Sequence, residues 1–217
     1  MTEITAAPKS FLDRLRFLGS EIVLGSLIAI LSVGVAYASY QGSMADSDQN
    51  KNEIEGMKSL NDGNTVFLTA NQTLSQDYTY YDNWYTNLDT NPDASNYYLE
   101  LMSDELATLA QKDTMDQAEW TAYEDGVFAD ANVYFDRSDA FFKLAGAWDE
   151  RGDQLQLVVL FMALGLTFAA WASLLKDESN LRPVFGALAI IMLVVALGTY
   201  FTMPAIPAIE IPALPGA

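Results

Sequence analysis

Three stretches of the chain carry no charged residue: 22–45, 154–175 and 183–209. Each supplies the roughly 20 consecutive, mostly apolar residues that cross a bilayer as a helix. Between the first and second stretches the pattern becomes periodic. Met57, Asn64, Asn71, Tyr78 and Tyr85 share one heptad position, and Leu60, Phe67, Leu74, Tyr81 and Leu88 share the position three residues on. Alternating steps of three and four predict a long helix with a coiled-coil-like seam. A second seam runs through Val127, Tyr134, Phe141 and Trp148, with Ala131, Ser138 and Ala145 four places after each of the first three. Large residues beside small ones suit close packing against a partner helix such as the first seam. The chain therefore reads as all-α, an integral membrane protein with three transmembrane helices. Between the first two helices stands an extracytoplasmic antiparallel helical hairpin, a coiled-coil-like stalk.

The punctuation between these patterns sets the boundaries. Residues 1–20 are a cytoplasmic lead-in, where Lys9, Arg14 and Arg16 give the positive bias of an inner flank. Phe11, Leu12, Leu15, Phe17 and Leu18 make this segment amphipathic. Residues 21–40 are the first span. Ala36-Tyr37-Ala38 has the small-x-small form of a signal-peptide cleavage site, but the leader before it is long, and a retained span is expected. Residues 41–153 form an acidic helical extracytoplasmic domain. Asn91-Pro92-Asp93 breaks it at the tip, because Pro fixes its own φ and disfavours helix in the residue before it. A helix over 96–112 follows, with Tyr98, Leu101, Met102, Leu106 and Leu109 on one face. Thr114 and Gln117 have the capping-box spacing that starts the next helix. Residues 154–175 are the second span, 176–182 a cytoplasmic turn bearing Lys176 and Arg182, and 183–203 the third span. Residues 204–217 contain Pro204, Pro207, Pro212 and Pro215 and form an extended tail lying on protein or membrane. This topology puts the N-terminus in the cytoplasm, with the stalk and C-terminus outside the cell membrane.

Charge sharpens the picture. The net charge is −18, and residues 41–153 hold 23 of the 29 acids but only 6 of the 11 bases. So acidic a surface argues against nucleic-acid binding, which depends on Lys/Arg patches. There is no Cys and no His. Disulfides, thiol catalysis, imidazole bases and the usual zinc, haem and copper sites thus fall outside its chemistry. No phosphate-cradling Gly loop or Ser-nucleophile motif occurs, and the spans hold no ionisable group of the kind that relays protons. Neither enzymatic activity nor a cofactor is expected.

The acids are candidates for cation binding. Asp46, Asp48 and Glu53 follow the first span, and Asp149, Glu150 and Asp153 precede the second. A hairpin would bring both groups to one height, where a ring of subunits would gather cations over a pore mouth. A solvated collar that keeps charge out of lipid is the plainer alternative. Asp46-x-Asp48-x-Asn50 resembles the start of a calcium loop, but Lys51 replaces the turning Gly and Met57 the chelating Glu. For self-association the candidate seam is Met57, Leu60, Asn64, Phe67, Asn71, Leu74, Tyr78 and Tyr81, where polar seam residues would fix register or partner number. Tyr80, Trp84 and Tyr97 lie off that seam or near the tip and could face a ligand. Arg151-Gly152-Asp153 and the sequon Asn71-Gln72-Thr73 fall on predicted helices, and neither is expected to be used.

The layout also resembles a known family. Ala38-Ser39-Tyr40-Gln41 and Ser47-Asp48-Gln49 follow the first span, and a short charged turn joins the closing pair of spans. In this it is similar to a family of small bacterial three-span membrane proteins of unknown function. The resemblance implies the topology but no activity and no site residues. The expected function is non-enzymatic: a membrane protein that self-associates, or scaffolds a larger membrane complex, through its stalk. The alternatives are a cation-conducting homo-oligomer with an acidic ring at its mouth, or a surface ligand sensor. Membrane lipids and a homo-oligomer or larger complex are the expected partners.

Overall fold

A computed structural model describes residues 16–112 and 116–214. A short 3-10 helix, Arg16–Gly19, leads into α1, Glu21–Asn87. Then come α2 (Pro92–Leu101), α3 (Asp104–Ala110), α4 (Gln117–Leu174) and α5 (Leu181–Thr202). Among the described residues there is no strand. Three helices, α1, α4 and α5, are long and apolar enough to cross a membrane, as a multi-pass membrane protein requires.

Local chemistry accounts for the breaks. α1 contains no Pro and runs through Gly42, Gly56 and Gly63 for 67 residues. It ends before Pro92, and Asn91 caps α2 by accepting from the Ala94 N–H at 3.3 Å. Pro92 is tolerated in the first turn because its missing N–H would be unpaired there anyway. The single helix expected over 96–112 is in fact two. Met102 is extended, and Ser103 caps α3 by accepting from the Leu106 N–H at 3.4 Å. At the start of α4, Asp116 Oδ1 accepts from the Glu119 N–H at 2.8 Å and Glu119 Oε2 from the Asp116 N–H at 3.4 Å, a reciprocal cap. The expected cap residue Thr114, like the lead-in before Arg16, lies outside the described residues.

The chain divides into two compact units. The first comprises the chain up to Lys51 with Leu144–Ala208. Its core joins Leu27, Leu31 and Ala38 of α1, Val158, Met162 and Ala169 of α4, and Ala189 and Ala196 of α5. Small residues let these helices close. A Cβ on Gly165 would stand 3.1 Å from Met192 Cβ, 3.2 Å from Leu31 Cδ2 and 3.3 Å from the Ala189 carbonyl. Such close approach is the usual device of membrane helices, where packing rather than the hydrophobic effect drives association. Gly25 and Ala29, also four residues apart on α1, are exposed. Arg182 is buried, pairs with Asp177 and donates to the Leu175 carbonyl at 3.3 Å, which ties down the turn between α4 and α5. Past α5 the described residues form neither helix nor strand, and the Pro204 carbonyl accepts from Arg151 Nη1 at 3.3 Å.

The second unit comprises Asn52–Lys143 and the tail from Ile209. Here α1 and α4 pack antiparallel: Gly56 faces Phe142, Gly63 faces Phe135, and Tyr78 stacks on Trp120. On α4 the small residues of the expected seam, Ala131 and Ser138, are buried. On α1 the row facing them is shifted by one residue from the expected seam. Gly56, Ser59, Gly63, Ala70 and Asp77 are buried, while Met57 is 63% and Leu60 and Phe67 are each 40% exposed. The reason is steric. A Cβ on Gly56 would meet the Phe142 ring at 3.0 Å, and Ser138 Oγ donates to the Gly56 carbonyl at 2.9 Å. Only the smallest residues allow the backbones so close. The tail belongs to this unit as well, since Arg137 Nη1 donates to the Pro212 carbonyl at 2.7 Å.

Candidate functional site

The most elaborate polar arrangement lies where α2 and α3 cover the α1–α4 pair. Asp77 falls at the same heptad position as Gly56, Gly63 and Ala70, so helical geometry carries its carboxylate into the buried face. It is only 3% exposed. A buried carboxylate needs hydrogen-bond donors, and two are supplied. The Tyr123 hydroxyl donates to Oδ2, and the Ser103 N–H donates to Oδ1 at 2.9 Å. One turn away the Tyr78 hydroxyl and Trp120 Nε1 both donate to Glu124 Oε1, the latter at 2.9 Å. The Tyr78 and Trp120 rings stack at 5.3 Å. Around these sit Met102, Leu106, Ala110, Leu74, Tyr81 and Val127. The Ser95 hydroxyl also donates to the Trp84 carbonyl at 3.2 Å, fastening α2 to α1.

The electrostatics are those of a clamp. Burial, and then the hydrogen bond to Asp77, push the Tyr123 phenol above its ordinary range. Burial followed by the bond to Glu124 raises Tyr78 in the same direction. Both phenols are thereby kept as proton donors, the opposite of an activated nucleophile or base. A cleft of about 430 Å³ beside Tyr123 is lined by Thr69, Thr73, Ser103, Glu105 and Val127. It offers hydroxyls and one carboxylate, without a second acid or a base to pair with it.

The acids singled out in sequence are spread along their helices. Asp46, Asp149, Glu150 and Asp153 are exposed, and Asp48 and Glu53 are half-buried. Asp46 lies against Gly152, where a Cβ would stand 3.0 Å from its Oδ1. Asp46 thus lies against α4 within the first unit. Among the described residues, no three acids stand close enough to hold a metal ion.

In the candidate seam, Met57, Leu60, Asn64 and Phe67 are exposed, while Asn71, Leu74, Tyr78 and Tyr81 are half-buried. Of the aromatics near the tip, Tyr80 and Trp84 are half-buried and Tyr97 is 59% exposed. Asn71 Nδ2, the atom a glycan would take, donates to the Phe67 carbonyl at 3.0 Å. Gly152 is buried within α4, so Arg151-Gly152-Asp153 does not project as a loop. The clamp residues Asp77, Ser103 and Tyr123 were not singled out in sequence. The available signal was an acid recurring at the spacing of three small residues.

Set against known proteins, the chain matches no family model, no curated protein and no solved structure.

Proposed function

We propose that this is a non-enzymatic, multi-pass membrane protein. It self-associates, or scaffolds a membrane assembly, through the acidic helical segment between its first and second spans. The observation that carries the reading is the apolar row on α1 that its own chain leaves uncovered. Ile54, Met57, Leu60 and Leu68 are between 40% and 63% exposed. Exposed apolar rows on a polar surface are characteristic of contact sites, and here Asn61 and Asn64 interrupt the row, as register-fixing polar residues do in helix pairing. The charge distribution supports an orientation. Arg16 and Arg182 line one hollow of the first unit, beside Asp177 of the turn that carries Lys176. The positive-inside rule assigns that end to the cytoplasm and the acidic segment to the opposite side.

The absence of native Cys makes the test clean. Met57→Cys protein in native membranes is expected to cross-link to a second copy, or to one larger partner, under mild oxidation or a short bis-maleimide. Asp93→Cys, at the exposed turn, serves as the control. A chain that stays monomeric in both variants, and by mass in mild detergent, would overturn the reading.

A further inference from the structure

The first unit contains a crevice that neither its core nor the exposed α1 row explains. It is about 530 Å³ in volume and opens between α1 and α5. Val158 and Met162 of α4 form its floor, and Val33, Leu197 and Phe201 stand on its rim. Its origin is legible in the packing. A Cβ on Gly34 would collide with Met162, so α1 is seated on α4 at this level. α5 approaches α1 near Gly186, where a Cβ would stand 3.5 Å from Leu24 Cδ2, and again where the Tyr37 and Tyr200 rings lie 6.3 Å apart. Between these two closures the helices stand apart. The rim stays open to the surroundings: Val33 is 70% and Phe201 77% exposed.

Three features bear on what would fit it. The crevice lies within helices of membrane-crossing length and composition, so the medium at its mouth is hydrocarbon. Its size matches one chain. At about 530 Å³ it falls in the range of pockets that hold one small ligand or chain segment. One end is polar. The Tyr37 and Tyr200 hydroxyls lie 3.4 Å apart, and Gln41 Nε2 donates to Tyr37 at 3.2 Å. Just beyond Tyr200, the Arg151 guanidinium reaches the Pro204 carbonyl. An apolar slot that ends in two hydroxyls, an amide and a cation is complementary to an acyl chain ending in a phosphate.

We propose that this crevice holds one acyl chain of a membrane phospholipid, its phosphate at the Tyr37–Gln41–Tyr200 end beside Arg151. The site is independent of self-association through the α1 row.

The test uses full-length protein reconstituted in vesicles of equal parts phosphatidylcholine and phosphatidylglycerol. In the first arm, a phosphatidylcholine with a photoactivatable acyl chain is included and the labelled peptides are mapped. Labelling concentrated in residues 29–38 and 193–201 is expected. Even labelling over all exposed span faces would overturn the proposal. In the second arm, protein is exchanged into mild detergent and weighed intact. One phospholipid per chain is expected to persist. Val33→Trp combined with Leu197→Trp, which fills the slot, should lower retention by about tenfold, the loss of a few methylene contacts. Ile191→Trp, on an exposed face outside the crevice, should leave retention unchanged. Retention untouched by the filled slot, or a dimer whose crevice peptides are shielded from label, would overturn the proposal. Arg151→Gln separates headgroup from chain: retention should weaken while the labelled peptides stay the same.

Discussion

Two regions of the second unit hold the same pair of helices together by opposite means. At Gly56, Ser59 and Gly63, α1 meets α4 through missing side chains, with the Phe142 and Phe135 rings lying over bare backbone. At Asp77, Tyr78, Tyr123 and Trp120, it meets α4 through bulk and hydrogen-bonded charge. The first contact is sensitive to added atoms and the second to removed ones. Together they set both the separation of the helices and their register. A small-residue stripe alone tolerates sliding, whereas a buried carboxylate with two defined donors does not.

The largest expected effect comes from removing the carboxylate. Asp77→Ala leaves the Tyr123 hydroxyl and the Ser103 N–H without their partner in a buried site. Unmet hydrogen bonds to a charged group cost about 1.5–3 kcal/mol each, so a loss of about 3 kcal/mol is expected in denaturant unfolding followed by helical circular dichroism. Protection of the α2–α3 amides from hydrogen exchange should fall at the same time. An unchanged midpoint would show that the clamp is ornamental.

Next comes Gly63→Leu. The first added atom stands 3.0 Å from the Phe135 ring and from Tyr134 Cβ. Overpacking costs about 1–3 kcal/mol, against a gain of about 1 kcal/mol in helix propensity over Gly. A net loss of up to about 2 kcal/mol is expected in the same unfolding experiment.

A subtler effect is tied to pH. Tyr123→Phe removes one donor from Asp77, which keeps the other, and should cost about 1.5 kcal/mol at neutral pH. Because the folded state raises the Tyr123 phenol above its unfolded value, the folded protein holds its proton longer as pH rises. The stability this contributes is complete below the ordinary tyrosine value of about 10 and is lost as pH climbs through the folded value. Wild-type protein should therefore lose stability above about pH 10 more steeply than Tyr123→Phe, with Tyr78 acting in the same direction in both. Parallel pH profiles would remove Tyr123 from the clamp.

The smallest effect has the opposite sign. Gly126 lies inside α4 with no atom within 4 Å of where its Cβ would be. Gly126→Ala should stabilise by somewhat under about 1 kcal/mol. Destabilisation at Gly63 and stabilisation at Gly126 would together sort the glycines that space the helices from those that do not.

Much of this architecture was legible along the chain. Charge-free runs of sufficient length marked the three helices long and apolar enough to cross a membrane. Pro92 marked the end of α1. The descending seam was readable because large and small residues alternate on it, so burial of Ala131, Ser138 and Ala145 agrees with the pattern. Leu74, Tyr78 and Tyr81 of the ascending seam do pack, but over residues 56–63 the face that meets α4 lies one residue away, because hydrophobic periodicity weights large side chains. Met57 and Leu60 dominate the pattern there, while the residues at the closest approach are Gly56, Ser59 and Gly63. One residue corresponds to about 100° of rotation, enough to turn Met57 and Leu60 outward.

The sequence by itself determined the helical class, the number of membrane-length helices, the concentration of acid between two of them, and the absence of thiol and imidazole chemistry. These follow from composition and local spacing, which act over a few turns. Only the tertiary structure decided which face of α1 meets α4, why the chain breaks at Met102 and Ser103, and that Asp77 is bound by groups 26 and 46 residues away. It also decided that α1 and α5 part to leave a chain-sized crevice. Those outcomes depend on the distance at which backbones can approach and on which donors reach a buried oxygen, and no local pattern encodes either.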